Sequence, residues 1–156
     1  MSLESMAPAQ SKWAISAGIL LLGAALTGCA NHATFQDVVA NQAQNGQFTL
    51  PRGEGSGAPM PEWDAMFLAW PYSDTNDVPE PFTKAARALN TSSTDSVQWL
   101  LFAEGSNVKR ISIDRSAIDF CLDGAVNAEY QHAQMWNAEK SDGAWLMTAV
   151  GPQPGS

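Results

Sequence analysis

The chain has 156 residues, of which 16 are acidic and 8 basic, so its formal net charge at pH 7 is −8. Nucleic-acid binding needs a clustered basic surface, and the only adjacent basic residues are Lys109 and Arg110. The composition therefore excludes nucleic-acid binding, and the length allows one small acidic domain.

Residues 13–26 form a run of apolar and small side chains behind Lys12. A transmembrane helix needs about 20 apolar residues, so this run is too short to span a membrane and has the layout of a secretory signal peptide. An uncleaved signal anchor or a buried core helix is the alternative. The polar residues from Asn31 onward argue against a helix that continues past Cys29.

The run ends in Leu26-Thr27-Gly28-Cys29, which resembles the lipobox of bacterial lipoproteins. The resemblance implies cleavage between Gly28 and Cys29 and acylation of Cys29, with palmitate as one of the acyl groups. Two or more acyl chains hold a protein stably on a membrane. Ala30, rather than an aspartate, follows the cysteine. In this class of protein that implies transport to the outer membrane, facing the periplasm.

Four segments follow from this pattern. Residues 1–28 are the removed signal peptide. Residues 29–61, rich in Asn, Gln, Gly and Pro, predict a lipidated flexible tether, because so polar a segment buries too little surface to offset its ordering entropy. The alternative is a short helix or partner-binding segment at residues 34–40. The aromatic-rich residues 62–150 predict a single domain, and residues 151–156 a disordered tail.

The first half of the predicted domain contains one hairpin. The apolar run at residues 62–70 fits a helix or a strand, and residues 82–89 predict a helix with Pro81 suited to its first position. Residues 97–102 and 108–113 predict two strands, joined by the turn residues Glu104-Gly105-Ser106-Asn107.

The second half contains another hairpin. Residues 115–122 predict a short helix, and residues 126–136 carry apolar side chains at period two. A turn at residues 140–143 leads into a return strand at residues 144–150. These elements predict an α+β fold: a small antiparallel sheet of two hairpins, with two or three short helices, after the tether.

A helix before an antiparallel half that ends in Asp142-Gly143-Ala144-Trp145-Leu146 is similar to the cone-shaped folds of the nuclear transport factor 2 family. That resemblance implies a cavity that could serve an enzyme.

Cys121 and His132 are the only nucleophile and base that the sequence could pair outside the tether. A thiolate nucleophile needs a neighbouring histidine or helix amino terminus to lower its pKa, and nothing in the sequence places the two side chains together. We interpret Cys121 as a buried inert thiol. An exposed Cys121 would instead pair between chains, since Cys29 is lipidated.

No metal or other cofactor is expected, because zinc requires three or four close Cys, His or carboxylate ligands. The acidic neighbours Glu62 with Asp64, and Asp114 with Asp119, are interpreted as solvated surface. The sequence therefore predicts no catalytic residue.

The tryptophans are the remaining candidates, since tryptophan is enriched at interaction hot spots. Trp63 and Trp70 lie next to prolines at the edge of the predicted domain, and we weigh partner docking and core packing equally for both. Core packing is expected for Trp99, Trp136 and Trp145.

These observations predict a non-catalytic structural or interaction component of an envelope assembly, such as those for secretion, conjugation or envelope biogenesis, with a protein partner there. The first alternative is an inhibitor or immunity lipoprotein that binds a toxin or lytic enzyme. The second is an enzyme on the cone-shaped fold, with His132 or a carboxylate in its cavity.

Overall fold

The computed structural model describes residues 33–92, 94–120 and 127–151. The signal peptide, the lipobox with Cys29, Cys121 and the tail after Gly151 lie outside these residues. In chain order the elements are α1 (Phe35–Ala43), β1 (Gln47–Thr49), β2 (Ala65–Ala69), α2 (Thr83–Arg87), β3 (Val97–Glu104), β4 (Asn107–Asp114), β5 (Ile118–Asp119), β6 (Ala128–Gln131), β7 (Met135–Ser141) and β8 (Ala144–Ala149). Within these ranges, no helix has the length and hydropathy needed to cross a bilayer.

The strands form two four-stranded sheets. The central sheet has the order β4-β3-β2-β6, and all its pairs are antiparallel. The second sheet has the order β1-β7-β8-β5, in which β5 runs parallel to β8 and the other pairs are antiparallel. The predicted mixture of short helices with antiparallel hairpins is confirmed. The prediction of one antiparallel sheet is wrong, because the β3–β4 and β7–β8 hairpins belong to different sheets.

Alternation along β2 and β3 buries both faces of the central sheet. Met66, Leu68, Leu100 and Phe102 point to one face, where they join side chains from α1 and the second sheet in the larger core. Phe67 and Leu101 point to the opposite face and pack in the smaller core with residues from α2 and the segment before it. This two-sided burial explains why residues 62–70 read as a continuous apolar run, typical of a strand with no solvent-facing side.

The helix α1 lies in the segment that we expected to be tether, where a short helix at residues 34–40 was the alternative. Thr34 Oγ1 accepts a hydrogen bond from the Asp37 N–H at 3.2 Å, and Asp37 Oδ2 accepts from the Thr34 N–H at 3.0 Å, which completes a capping box. Phe35, Val39 and Ala43 then recur on one helix face and are buried in the larger core. The folded part of the chain thus extends amino-terminally to Thr34, because a four-residue spacing of apolar side chains suffices to bury a helix in an otherwise polar segment.

At residues 115–120, the described part of the helix expected at residues 115–122, the chain forms a turn and the two-residue strand β5. Asp114 Oδ1 accepts hydrogen bonds from the Ser116 N–H at 2.8 Å and from Ser116 Oγ at 2.7 Å, so the chain turns after β4. Ile118 and Phe120 are then both fully buried at period two. The helix prediction was wrong because this turn and alternation were read as a helical pattern.

The period-two stretch predicted at residues 126–136 is two strands. The Gln134 N–H donates to the Gln131 carbonyl at 2.9 Å, closing a turn between β6 and β7. β6 pairs with β2 in the central sheet, while β7 pairs with β1 and β8 in the second sheet. This turn therefore carries the chain from one sheet to the other. The helix predicted at residues 82–89 is present in shorter form as α2, Thr83–Arg87. Pro81 lies before its N-cap, Phe82, and not at its first position as expected.

Candidate functional site

Trp63 belongs to the larger core. Only 1% of the residue is exposed, and its ring meets Phe102 edge-on with centroids 5.3 Å apart. The indole N–H donates to the Pro51 carbonyl at 3.3 Å. The structure therefore favours core packing for Trp63, since a partner could reach the indole only after the core had opened.

Trp70 lies half-buried at the end of β2. The Arg115 guanidinium carbon stands 4.9 Å from the centre of its ring, and Arg115 also donates to Asp119 Oδ2 at 2.9 Å. Stacked cations stabilise an indole that retains some exposure. Part of Trp70 remains open to solvent, so it stays a candidate contact residue.

Trp136 is fully buried as expected. Trp99 and Trp145 are half-buried and pack against the smaller and the larger core, respectively. The Lys140 ammonium lies 4.9 Å from the centre of the Trp145 ring. Trp99 lines an open groove beside β4, a position that its place in an apolar strand did not reveal.

His132 is exposed in the turn between β6 and β7. Its backbone N–H donates to the Asp64 carbonyl at 2.9 Å, and its ring lies edge-on to Trp63, with centroids 6.5 Å apart. Cys121 lies outside the described residues, so the structure gives no distance between Cys121 and His132. The histidine therefore stands as a surface side chain with an aromatic neighbour.

The two acidic neighbour pairs have structural partners. Arg52 lies 3.6 Å from Glu62 and 3.4 Å from Asp64, so it links these two carboxylates at the surface. Asp119 is paired with Arg115. Two hydrogen bonds from Ser116 lower the pKa of Asp114 below its ordinary value. The bond from the side chain has the larger effect and the bond from the backbone the smaller. These contacts favour structural roles for the carboxylates.

A groove of about 620 Å³ lies between α1, β1 and the turn that bears His132. Gln42 Oε1 is buried there and accepts no hydrogen bond from the described residues. Arg52 also lines this groove, and its Nε donates to the Trp63 carbonyl at 2.8 Å. Glu54 is the one carboxylate in the lining. A cavity lined by His132 and two acids would favour the enzyme of the cone-shaped fold, and this groove contains His132 with one acid.

Within the described ranges no three His, Cys, Asp or Glu side chains gather closely enough to hold a metal ion. Comparisons of the chain with protein-family models, with curated proteins and with solved structures gave no match. The resemblances to the lipobox and to the cone-shaped folds therefore rest on the residues quoted for them.

The feature that sequence reasoning missed is the free edge of the central sheet at β4. Among the described residues β4 pairs only with β3, and β6 forms the other edge of the sheet. The groove of about 650 Å³ beside Trp99 and Arg110 follows one face of the strand, and a groove of about 420 Å³ beside Phe35 and Ile113 follows the other. The sequence signal for this edge was the basic pair Lys109 and Arg110 after a hairpin turn. The signal was insufficient, because the number and order of the strands in the sheet decide which strand lies at an edge.

Proposed function

We propose that the mature protein is a lipid-anchored component of the bacterial envelope, held on the outer membrane by acylated Cys29 and facing the periplasm. The lipobox residues and the short apolar run before them support the anchor. Ala30 after the cysteine supports the outer-membrane location.

Within the envelope we propose a non-catalytic role, in which the domain binds a protein partner as part of an assembly. The observation that carries this role is the β4 edge, an eight-residue strand with one neighbour and an open groove along each face. Unpaired strands of this kind bind extended segments of other proteins through their backbone groups. The groove at His132, with a single carboxylate, supports the enzyme alternative less well.

The anchor is tested by replacing Cys29 with serine in cells that receive labelled palmitate. We expect the wild-type protein to incorporate the label and Cys29→Ser to lose it, with accumulation of the unprocessed precursor. A Thr27→Ala variant keeps the cysteine and a small residue before it, and should still be labelled. Labelling of Cys29→Ser would refute the anchor.

The partner role is tested by purifying the lipidated protein from its own envelope and identifying what accompanies it. A stoichiometric envelope protein is the expected result. Recovery of an imported toxin or a lytic enzyme instead would favour the inhibitor alternative. A folded His132→Ala variant that loses the cellular phenotype while it retains the partner would favour the enzyme alternative.

A further inference from the structure

Alternate residues of β4 present their backbone groups away from the sheet. The Asp114 N–H leaves the sheet to donate to Gln36 Oε1 at 3.2 Å, whereas the next N–H, of Arg115, donates back to the Ser96 carbonyl at 2.9 Å. Because N–H and C=O groups alternate in direction along a strand, Val108, Arg110 and Ser112 share the outward direction of Asp114. The described residues supply no hydrogen-bond partner to the backbone of these three residues. The edge is therefore ready to pair with one more strand.

The two faces beside this edge differ in chemistry. On the α1 side, the groove is lined by Phe35, Ile111 and Ile113, together with Gly57. A Cβ atom on Gly57 would lie 2.4 Å from the Phe35 nitrogen, so glycine allows the loop to close against the start of α1 and to border this groove. Thr34, Gln36 and Ser112 complete the lining. On this side an added strand would meet an apolar strip formed by Phe35, Ile111 and Ile113, with polar groups beside it.

The α2-side groove is mixed and contains a basic group. Asn90, Ser112 and Arg110 lie in it beside Ala88, Trp99 and Ile111. Arg110 Nη1 donates to the Ala88 carbonyl at 3.1 Å, which ties β4 to the end of α2. Arg87, the last residue of α2, precedes Ala88 and is exposed. An acidic side chain entering this groove would meet the Arg110 guanidinium, which the hydrogen bond to Ala88 already holds in place.

Positive charge is concentrated around this edge in an otherwise acidic chain. Among the described residues, Arg52 and Arg115 form ion pairs, and Lys140 lies against Trp145. The other basic residues all lie on α2 or β4, and no carboxylate of the described residues lies within ion-pair distance of them. They are Lys84, Arg87, Lys109 and Arg110.

We propose that β4 binds an extended acidic segment of a partner protein, which adds as a fifth strand to the central sheet. Successive side chains of the segment alternate between the two faces, so acidic residues enter the α2-side groove and apolar residues enter the α1-side groove. The inference rests on the proposed role in partner binding and specifies the chemistry of that partner.

A second copy of the chain fits the edge less well. Pairing β4 with β4 would bring two Lys109-Arg110 pairs together at one interface, which is electrostatically unfavourable. Asp114 is the only acidic residue of β4, and its carboxylate already accepts from Ser116. The strand therefore lacks a free carboxylate that could balance the basic pairs of a second copy.

The probe is a fluorescein-labelled peptide of alternating Val and Glu, about eight residues long, enough to cover β4 at roughly 3.4 Å per residue. Fluorescence anisotropy with the full chain in detergent measures its Kd. We expect an alternating Val and Lys peptide to bind at least about tenfold more weakly, and the affinity for the Glu peptide to fall as salt is raised. Equal binding of both peptides, or binding of neither, would overturn the proposal.

Two changes test the backbone pairing. A Val and Glu peptide that is N-methylated at alternate residues cannot donate along one edge, and we expect its affinity to drop at least about tenfold. Ser112→Pro removes one outward N–H at a position where an edge strand tolerates proline, and it should weaken binding by a similar factor. The methylated peptide tests the same point without depending on how the variant folds, and unchanged binding would contradict strand addition.

The charge is tested by Arg110→Glu, with Lys140→Glu as the matched control on the second sheet. Both variants change the net charge by the same amount, so a nonspecific effect of charge would weaken peptide binding equally. We expect Arg110→Glu to lose about tenfold or more and Lys140→Glu to stay within about twofold. Equal losses would refute a local role for the edge.

Hydrogen exchange gives a signature that belongs to strand addition alone. Bound Val and Glu peptide should slow exchange at the amides of Val108, Arg110 and Ser112, whereas Lys109 and Ile111 already point toward β3. A concentration-dependent dimer lost in Ser112→Pro would assign the edge to a second copy and overturn the acidic occupant. If purification from the envelope recovers a partner but the Val and Glu peptide does not bind, this inference is overturned and the proposed function stands.

Discussion

The two faces of the central sheet are covered by different kinds of structure. The larger core lies between this sheet, the second sheet and α1, and two groups of rings meet in it: Phe35 and Trp63 around Phe102, and Phe120 and Tyr130 around Trp136. The smaller core has a single stacked pair, Phe67 with Phe82, under the five-residue helix α2. Most of the apolar stabilisation should therefore come from the larger core.

The difference bears on dynamics as well as on stability. Short elements held by few apolar contacts open locally more easily than sheets, so the α2 side should exchange its amides before the face covered by the second sheet. The α2 side is also the one that carries the groove with Arg110 next to β4. The proposed binding edge is thus bordered by the less firmly packed of the two covers.

The largest expected effect tests directly whether the two covers of the central sheet differ in rigidity. Phe102→Ala should lower the free energy of unfolding by about 4 to 5 kcal/mol, because the ring is fully buried between Phe35 and Trp63 and the surrounding sheets cannot collapse into the cavity. Phe82→Ala removes an equally buried ring but should cost only about 3 kcal/mol, since α2 can move inward.

Urea unfolding followed by tryptophan fluorescence measures both values. Val150→Ala, at a residue that is 38% exposed, serves as the control and should change stability by less than about 0.5 kcal/mol. A Phe82→Ala variant as destabilised as Phe102→Ala would show that the two covers are equally rigid.

Local sequence signals predicted the parts of the fold that depend on neighbours in the chain. The turn at residues 104–107 and the Asp142-Gly143 turn each set a hairpin. Each turn has a glycine at positive φ, 57° at Gly105 and 93° at Gly143, a conformation that glycine adopts without strain. Which sheet each hairpin joins depends on contacts between distant residues. Parallel pairing of β5 with β8 is of this second kind, and no local pattern encodes it.

The same distinction applies to the candidate sites. The exposure of Trp63 could not be judged from Pro61, two residues before it, because Phe102, which covers the indole, comes from a hairpin far along the chain. The capping box at Thr34 and the spacing of Phe35, Val39 and Ala43 were readable in the sequence, but the polar composition of the segment outweighed them. Composition averages over a segment, whereas burial is decided by a few positions.

Gln98 tests how firmly the two sheets are joined across the larger core. It is fully buried, its Nε2 donates to the Ile118 carbonyl, and its Oε1 accepts from the Phe120 N–H at 3.1 Å, so it links β3 to the β5 segment. Gln98→Met keeps the volume and leaves both backbone groups unpaired. The expected cost is about 2 kcal/mol or more, because each of the two unsatisfied groups costs at least roughly 1 kcal/mol.

Denaturant unfolding gives the stability, and hydrogen exchange at Phe120 reports the lost bond. The conservative control is Gln98→Glu at acidic pH, where a protonated carboxyl can still accept the Phe120 hydrogen bond. A Gln98→Met variant within about 0.5 kcal/mol of wild type would show that the link does not hold the sheets together.

Alkaline pH tests the burial of Tyr130 in the larger core. Burial in the larger core raises the pKa of Tyr130 from 10.0 to about 12. Because the unfolded chain ionises first, stability is intact below pH 10.0 and is lost as the pH rises toward about 12. The shift corresponds to at most about 2 to 3 kcal/mol, at roughly 1.4 kcal/mol per pH unit.

Tyr130→Phe should remove this loss, and urea unfolding between pH 8 and 12 would show a flatter profile for the variant than for wild type, on the order of the shift above. Tyr72 is 68% exposed in the segment between β2 and α2, so Tyr72→Phe should retain the wild-type profile. Identical profiles for wild type and Tyr130→Phe would contradict the assigned burial of the hydroxyl.

The smallest expected effect concerns the start of the two helices. α1 begins with the capping box of Thr34 and Asp37, whereas Phe82 caps α2 without any side-chain hydrogen bond. Thr34→Ala should cost about 1 kcal/mol, because the Asp37 N–H loses its acceptor. Thr34→Ser keeps the hydroxyl and should stay close to wild type, so the pair isolates the hydrogen bond.

The cap also predicts a dependence on acid pH. Two hydrogen bonds from Thr34 lower the pKa of Asp37 below its ordinary 3.8. The bond from the side chain has the larger effect and the bond from the backbone the smaller. A carboxylate with a lowered pKa stabilises the fold fully above its unfolded pKa and loses this contribution as the pH falls through the folded value. The stability difference between wild type and Thr34→Ala, measured by urea unfolding, should therefore be constant from pH 5 to 7 and shrink below about pH 4. A difference that stays constant into strong acid would show that the Asp37 charge takes no part in the cap, and that α1 is held only by its buried face.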